Sequence, residues 1–168
     1  MFRIQPASGA AMTAIEQQVP WYPHVTVAAI AQHHGKYLMV KERILGKSML
    51  NQPAGHVEEH ETLQEATVRE CLEETGWRFE PEGLVGIYYM RNPSGISYLR
   101  FAYCGTLLEP VENHEIDAQI EEVLWLDRTT LEENRDNLRN QIVLKCIDDF
   151  ESGKRLPNDA VFQTVQAS

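Results

Sequence analysis

Cysteine, positive charge and long apolar runs are all scarce in this 168-residue chain. The three cysteines, Cys71, Cys104 and Cys146, form no CxxC pair. They offer no zinc signature and no disulfide framework, and they fit a reducing compartment such as the cytoplasm. Lysine and arginine number 15 against 25 aspartates and glutamates, a formal net charge of -10. That balance argues against grip on a nucleic-acid polymer or an anionic membrane, because both need a basic surface. It leaves phosphate-bearing small molecules open, since a bound cation inverts the local potential. No apolar stretch approaches the length of a membrane span. Internal repeats and low-complexity tracts are missing as well. The first residues, MFRIQPASGAAMTAIEQQVPW, lack an apolar core after a basic start, so no secretory leader is expected. We read residues 1–22 as a loose arm, with Met12 as an alternative start.

What is present is ordinary for one folded domain: 43% hydrophobic and 24% charged residues. HVTVAAIAQ (24–32) and YLMVKERI (37–44) read as strands around an HHGKY turn, a hairpin candidate. LGKSMLNQPAGHVEEHE (45–61) is rich in turn formers and reads mostly as loop. From Thr62 to Thr75 nothing breaks a helix until Gly76. GLVGIYYMR (83–91), SYLRFAYCGTLL (97–108) and EEVLWL (121–126) read as further strands. Asp127, Thr129 or Thr130 is a candidate cap for a helix starting near Leu131, and 138–153 forms an amphipathic helix stopped by Gly153. Strands mixed with two or three helices predict an α/β fold with a mixed sheet between helices. The domain is expected over residues 23–157, with 158–168 as a tail.

The most informative stretch is RECLEETGW (69–77). On a helix with about 100° per residue, Glu74 lies about 40° and Glu73 about 60° from Glu70, so the three project from one side. Val68, Cys71 and Leu72 fall opposite and offer an apolar stripe for burial. Like charges at i, i+4 repel, and carboxylates in a last turn oppose the helix dipole. Periodicity alone favours a solvated charged face; the doubly unfavourable placement weakens that reading and leaves a hard-oxygen site for a divalent ion open beside it.

Reading back from that helix gives Gly55, five residues, Glu61, seven residues, then Arg69-Glu70-Cys71-Leu72-Glu73-Glu74-Thr75-Gly76. This resembles the signature box of the Nudix hydrolases, with every fixed position present; Cys71 and Trp77 stand where aliphatic residues are usual. PHVTVAAI, GKSMLNQPAGHVE, YLRFAY and SGKRLP further resemble a bacterial phosphatase branch of that family, over roughly residues 23–157. The resemblance implies the Nudix fold and Mg²⁺-dependent hydrolysis of a phosphoanhydride, with Mn²⁺ as a substitute. The implied substrates are nucleoside tri- and diphosphates or a thiamine-precursor pyrimidine pyrophosphate, with inorganic phosphate released. Two alternatives stay open. One is a pyrophosphatase acting on ADP-ribose or other nucleoside diphosphate derivatives. The other is a non-catalytic nucleotide-binding module, which the intact box disfavours.

By that resemblance Glu70, Glu73 and Glu74, with the carbonyl of Ala54, would hold the metal. Arg69 would orient Glu73 or Glu70, and Glu61 would support the helix start. Glu70 or Glu73 is the expected general base, with Glu121 as the alternative. Arg100, flanked by apolar residues on a strand, divides evenly between a wet face and a phosphate-binding role. Asn51, Gln52 and Lys47, in the segment entering the box, are further substrate-binding candidates. His56 and His60 lack a third ligand nearby, so chance explains their spacing. One or two of Tyr88, Tyr89, Tyr98, Phe101 and Tyr103 are candidates to stack on a base; the rest are expected in the core.

Overall fold

A computed structural model of the protein describes residues 21–157 and 160–165. The expectations for residues 1–20, Met12 included, lie outside that range. In chain order the strands are β1 (His24–Ile30), β2 (Gln32–His33), β3 (Lys36–Ile44), β4 (Lys47–Asn51) and β5 (Ala54–His56). Helix α1 (Leu63–Thr75) follows, then β6 (Trp77–Arg91), β7 (Ser97–Pro110) and β8 (Ile120–Asp127). Helix α2 (Arg128–Glu133), a 3₁₀ turn (Arg135–Asn137) and α3 (Ile142–Glu151) complete the described chain.

The strands form two sheets. One has the order β5-β1-β7-β6, with β1 parallel to β7 and the other neighbours antiparallel. In the other, β3 lies between β4 and β8, and β2 pairs with its start. The expected hairpin between 24–32 and 37–44 is therefore corrected. Only the two-residue β2 folds back on β3; β1 and the rest of β3 belong to different sheets. The run Val27–Ala31 is buried on both faces. A strand of that kind seeks the middle of a sheet rather than the edge of a local ribbon. The segment read as loop also contains two strands, β4 and β5. Their short, mixed sequences carry no period, and partners elsewhere in the chain create them.

Helix α1 packs on one face of the first sheet through Leu63, Ala66 and Cys71, against Val27, Ala29 and Tyr103. The second core cluster lies on the other face, where Val143, Cys146 and Ile147 of α3 meet Ala28 and Ala102. Thr62 caps α1 by accepting from Glu65 N–H at 3.2 Å, while the Glu65 carboxylate accepts from Thr62 N–H at 2.8 Å. Gly76 ends it at φ 73°, a left-handed conformation that glycine adopts without strain. Thr62→Ala is expected to cost about 1 kcal/mol. A urea titration checks it, and an unshifted midpoint would mean the cap is idle. Asp127 caps the next helix, which begins at Arg128 rather than near Leu131.

The buried face of α1 departs from the periodicity. Cys71 is fully buried, but Val68 and Leu72 are only half-buried and line an open groove with Pro81. Glu70 and Glu74 lie inside instead, 8% and 5% exposed. A helix that buries two carboxylates in preference to a valine and a leucine has been placed by something other than its apolar stripe.

Candidate active site

The site begins at the outer edge of β5. Its hydrogen-bond ladder with β1 runs through alternate residues: Ala29 N–H donates to Pro53 and Val57 N–H to Val25. Ala54 and His56 therefore turn their backbone groups away from β1. The last turns of α1 lie along that edge. Ala54 N–H donates to Glu74 Oε2 at 2.8 Å, and the His56 carbonyl accepts from an Arg69 Nη at 2.9 Å. By the same alternation the Ala54 carbonyl points outward, toward the helix side. Between them sits Gly55. A Cβ there would overlap the Glu70 carboxylate, so only glycine lets strand and carboxylate approach this closely.

Arg69 is the hub. It forks onto Glu61 at 2.9 and 2.7 Å and reaches Glu70 Oε1 and Glu73 Oε2, each at 2.9 Å. It thus orients both glutamates named as alternatives in the sequence reading. Glu61 does not bond the free N–H groups of the helix start. It binds Arg69 and accepts from Glu58 N–H at 2.6 Å, and the arginine holds its carboxyl below the usual range. The same hydrogen bonds raise the Arg69 pKa further.

Burial pushes the Glu70 carboxyl up, against the pull of Arg69. Glu74 is pushed up to about 8, by burial first and also by Glu70, Glu42 and Asp117. Asp117 is absent from the sequence reading. Its N–H donates to the Glu73 carbonyl at 3.0 Å, and Val111 N–H donates to the Gly76 carbonyl at 2.8 Å. The chain after β7 thereby supplies donors to the helix end that no basic side chain serves. Only that tertiary return brings Asp117 to the site, and nothing local in the sequence signals it.

Glu70, Glu73 and Glu74 each give one oxygen to a protein donor. Among the described residues the other oxygens, Glu70 Oε2, Glu73 Oε1 and Glu74 Oε1, have none. No three acidic, histidine or cysteine side chains among those residues are drawn into a preformed cage. Arg69 holds Glu70 and Glu73, and Ala54 N–H holds Glu74. The donor chemistry still fits a hard divalent ion: three free carboxylate oxygens, an outward carbonyl, and buried acids whose charges oppose one another.

On β7, Arg100 is 8% exposed, which removes the wet-face reading. Its one side-chain hydrogen bond among the described residues runs to Asn51 Oδ1 at 3.3 Å. Asn51 Nδ2 donates to Glu42 at 3.2 Å, so both ends of this amide are engaged by side chains. Glu42, also missed from sequence, lies 3.8 Å from Arg139, and burial raises its pKa. Gln52 is fully buried and donates to the Val143 carbonyl at 2.8 Å. Two candidates are not brought in. Lys47 is exposed at the far end of β4, about 13 Å along the strand from Asn51. Glu121 is held by Arg43 and by Ser48, whose hydroxyl donates at 2.5 Å. That hydroxyl is the first cause of its lowered pKa.

A profile of the NUDIX domain matches residues 21–145. Phosphatase NudJ of Escherichia coli K12 is 36% identical over 139 residues, covering 83% of this chain and 90% of that protein. The NudJ of Shigella flexneri is similar to the same extent. Among solved structures, a NUDIX hydrolase from Nitrosomonas europaea superposes with a TM-score of 0.83 at 39% identity, covering 85% of this chain and 98% of that one. A UDP-X diphosphatase shares the fold at TM-score 0.65 and 18% identity, over 89% of this chain and 74% of its own.

Proposed function

We propose that this chain, which belongs to the Nudix family of hydrolases, is a Mg²⁺-dependent phosphohydrolase of the NudJ type. It would cleave the phosphoanhydride of nucleoside tri- and diphosphates or of a thiamine-precursor pyrimidine pyrophosphate and release inorganic phosphate. The observation that carries this reading is the trio Glu70, Glu73 and Glu74 in the last turns of α1, each with one oxygen to spare among the described residues, with Glu74 bonded to the outward edge of Ala54 and Glu70 against Gly55.

Glu70, Glu73, Glu74 and the Ala54 carbonyl would hold Mg²⁺, with Mn²⁺ as a substitute. When bound, the ion would neutralise phosphate charge and acidify a water. Arg69 fixes the directions of Glu70 and Glu73, so their free oxygens are aimed before substrate arrives. Whichever of these two glutamates is not engaged by the ion would take the proton of the attacking water; Glu73, the least buried of the trio, is the more open to solvent. Arg100 offers unused guanidinium donors to a phosphate. Asn51 holds Arg100 in that pose and is a positioning residue, because its own amide is already occupied. Lys47 and Glu121 are left out of the machinery for the geometric reasons above. The buried thiols of Cys71, Cys104 and Cys146 suit the cytoplasm.

Chelation is expected to abolish turnover and added Mg²⁺ to restore it. A panel of nucleotides and pyrophosphate metabolites, with products resolved, tests the reaction. Terminal phosphate release supports the reading. Cleavage into two monophosphates would favour a pyrophosphatase of the ADP-ribose kind, and turnover that survives chelation would remove the metal role.

A further inference from the structure

We infer that His24, His56 and Tyr98 form a platform for the planar heteroaromatic ring of the substrate whose phosphate Arg100 holds. The inference rests on the phosphate-binding reading of Arg100.

Strand register carries it. On the sheet face that bears the α3 core, His56, Thr26, Arg100 and Tyr88 lie in one row across β5, β1, β7 and β6. Toward the core the preceding row is small: Ala54, Ala28, Ala102 and Gly86. In the following row His24 stands beside Tyr98. The three rings gather there, with centroids 5.3 Å apart for His24 and His56, 5.5 Å for His24 and Tyr98, and 6.4 Å for His56 and Tyr98. Core packing does not require them, because both histidines are exposed and Tyr98 is half-buried. His56 ties the group to the acidic site, since its carbonyl accepts from Arg69. One strand step from Arg100 to Tyr98 is about 7 Å, close to the reach from a nucleotide's phosphate to its base. Ring faces stack on bases with little regard to sequence, so the platform selects for an aromatic ring before it selects which one.

The test uses two non-hydrolysable ligands, α,β-methylene-CDP and methylenediphosphonate, which differ in the ring-bearing nucleoside. Binding of both is measured by calorimetry with Mg²⁺, so no turnover is needed. The wild type is expected to prefer the ringed ligand by ten-fold or more. His24→Leu with Tyr98→Leu is expected to cut that preference about ten-fold and leave methylenediphosphonate affinity unchanged, whereas Tyr98→Phe retains the preference. His24→Leu alone, at an exposed side chain, covers the case in which the double variant does not fold; it is expected to lose part of the preference. A preference unmoved in the folded variants, an equal loss for both ligands, or no ring preference in the wild type would overturn the platform. Arg100→Leu is the separate control. It weakens both ligands alike if Arg100 binds phosphate, and indifference of both overturns that reading instead.

Discussion

Glu74→Gln is expected to lower turnover by about 10²–10³-fold, the size of losing one group that stabilises developing charge, while leaving the protein as stable as before or more so. The two effects have opposite signs for one reason. Glu74 is buried among Glu70, Glu42 and Asp117, and that setting raises its pKa to about 8. A neutral amide relieves the repulsion, and its carbonyl still accepts from Ala54 N–H. It surrenders the anionic oxygen that would face the metal. Glu73→Gln should be comparably inactive with a smaller stability change, because Glu73 is only half-buried and Arg69 retains Glu61 and Glu70. Single-turnover rates and thermal melts read the two quantities separately. Unchanged rates in both variants would refute the site assignment, and a collapse of stability in Glu74→Gln would mean that its charge is structural.

Gly55→Ala comes next in size. The added methyl would occupy the space of the Glu70 carboxylate, so either that side chain rotates away or β5 lifts from the helix. Overpacking of this kind costs about 1–3 kcal/mol. Turnover is expected to fall at least 100-fold, because both movements break the pairing of the Ala54 edge with the acidic helix turn. Combining Gly55→Ala with Glu70→Ala separates space from chemistry. The double variant should recover much of the lost stability, since the clash is gone, and none of the activity. Chemical denaturation and initial rates measure the cycle, and an active Gly55→Ala enzyme would show that the close approach is dispensable.

Much of this site was legible because it is local. Gly55, Glu61, Arg69, Glu70, Glu73, Glu74 and Gly76 fall within 22 consecutive positions at fixed spacing, and a helix converts that spacing directly into geometry. The i, i+4 contact of Arg69 with Glu73 is the plainest case. Helix ends were readable for the same reason, since Thr62, Asp127 and Gly76 act on groups a few residues away. The misses share the opposite property. Glu42, Asp117 and the bridging role of Asn51 depend on strands and returns from distant parts of the chain. The burial of Glu70 and Glu74 in place of Val68 and Leu72 also escaped a periodicity argument. The edge of β5 draws those acids in, and β5 is a strand only because β1 makes it one.

The sequence by itself determined the family and the acidic helix, because both are written in the 22 consecutive positions from Gly55 to Gly76. Only the tertiary structure decided that Arg100 is buried with donors to spare among the described residues, that Lys47 and Glu121 stand apart, and that three rings gather in two adjacent rows of one sheet. Sheet register and burial are set by partners far along the chain, and no local spacing records them.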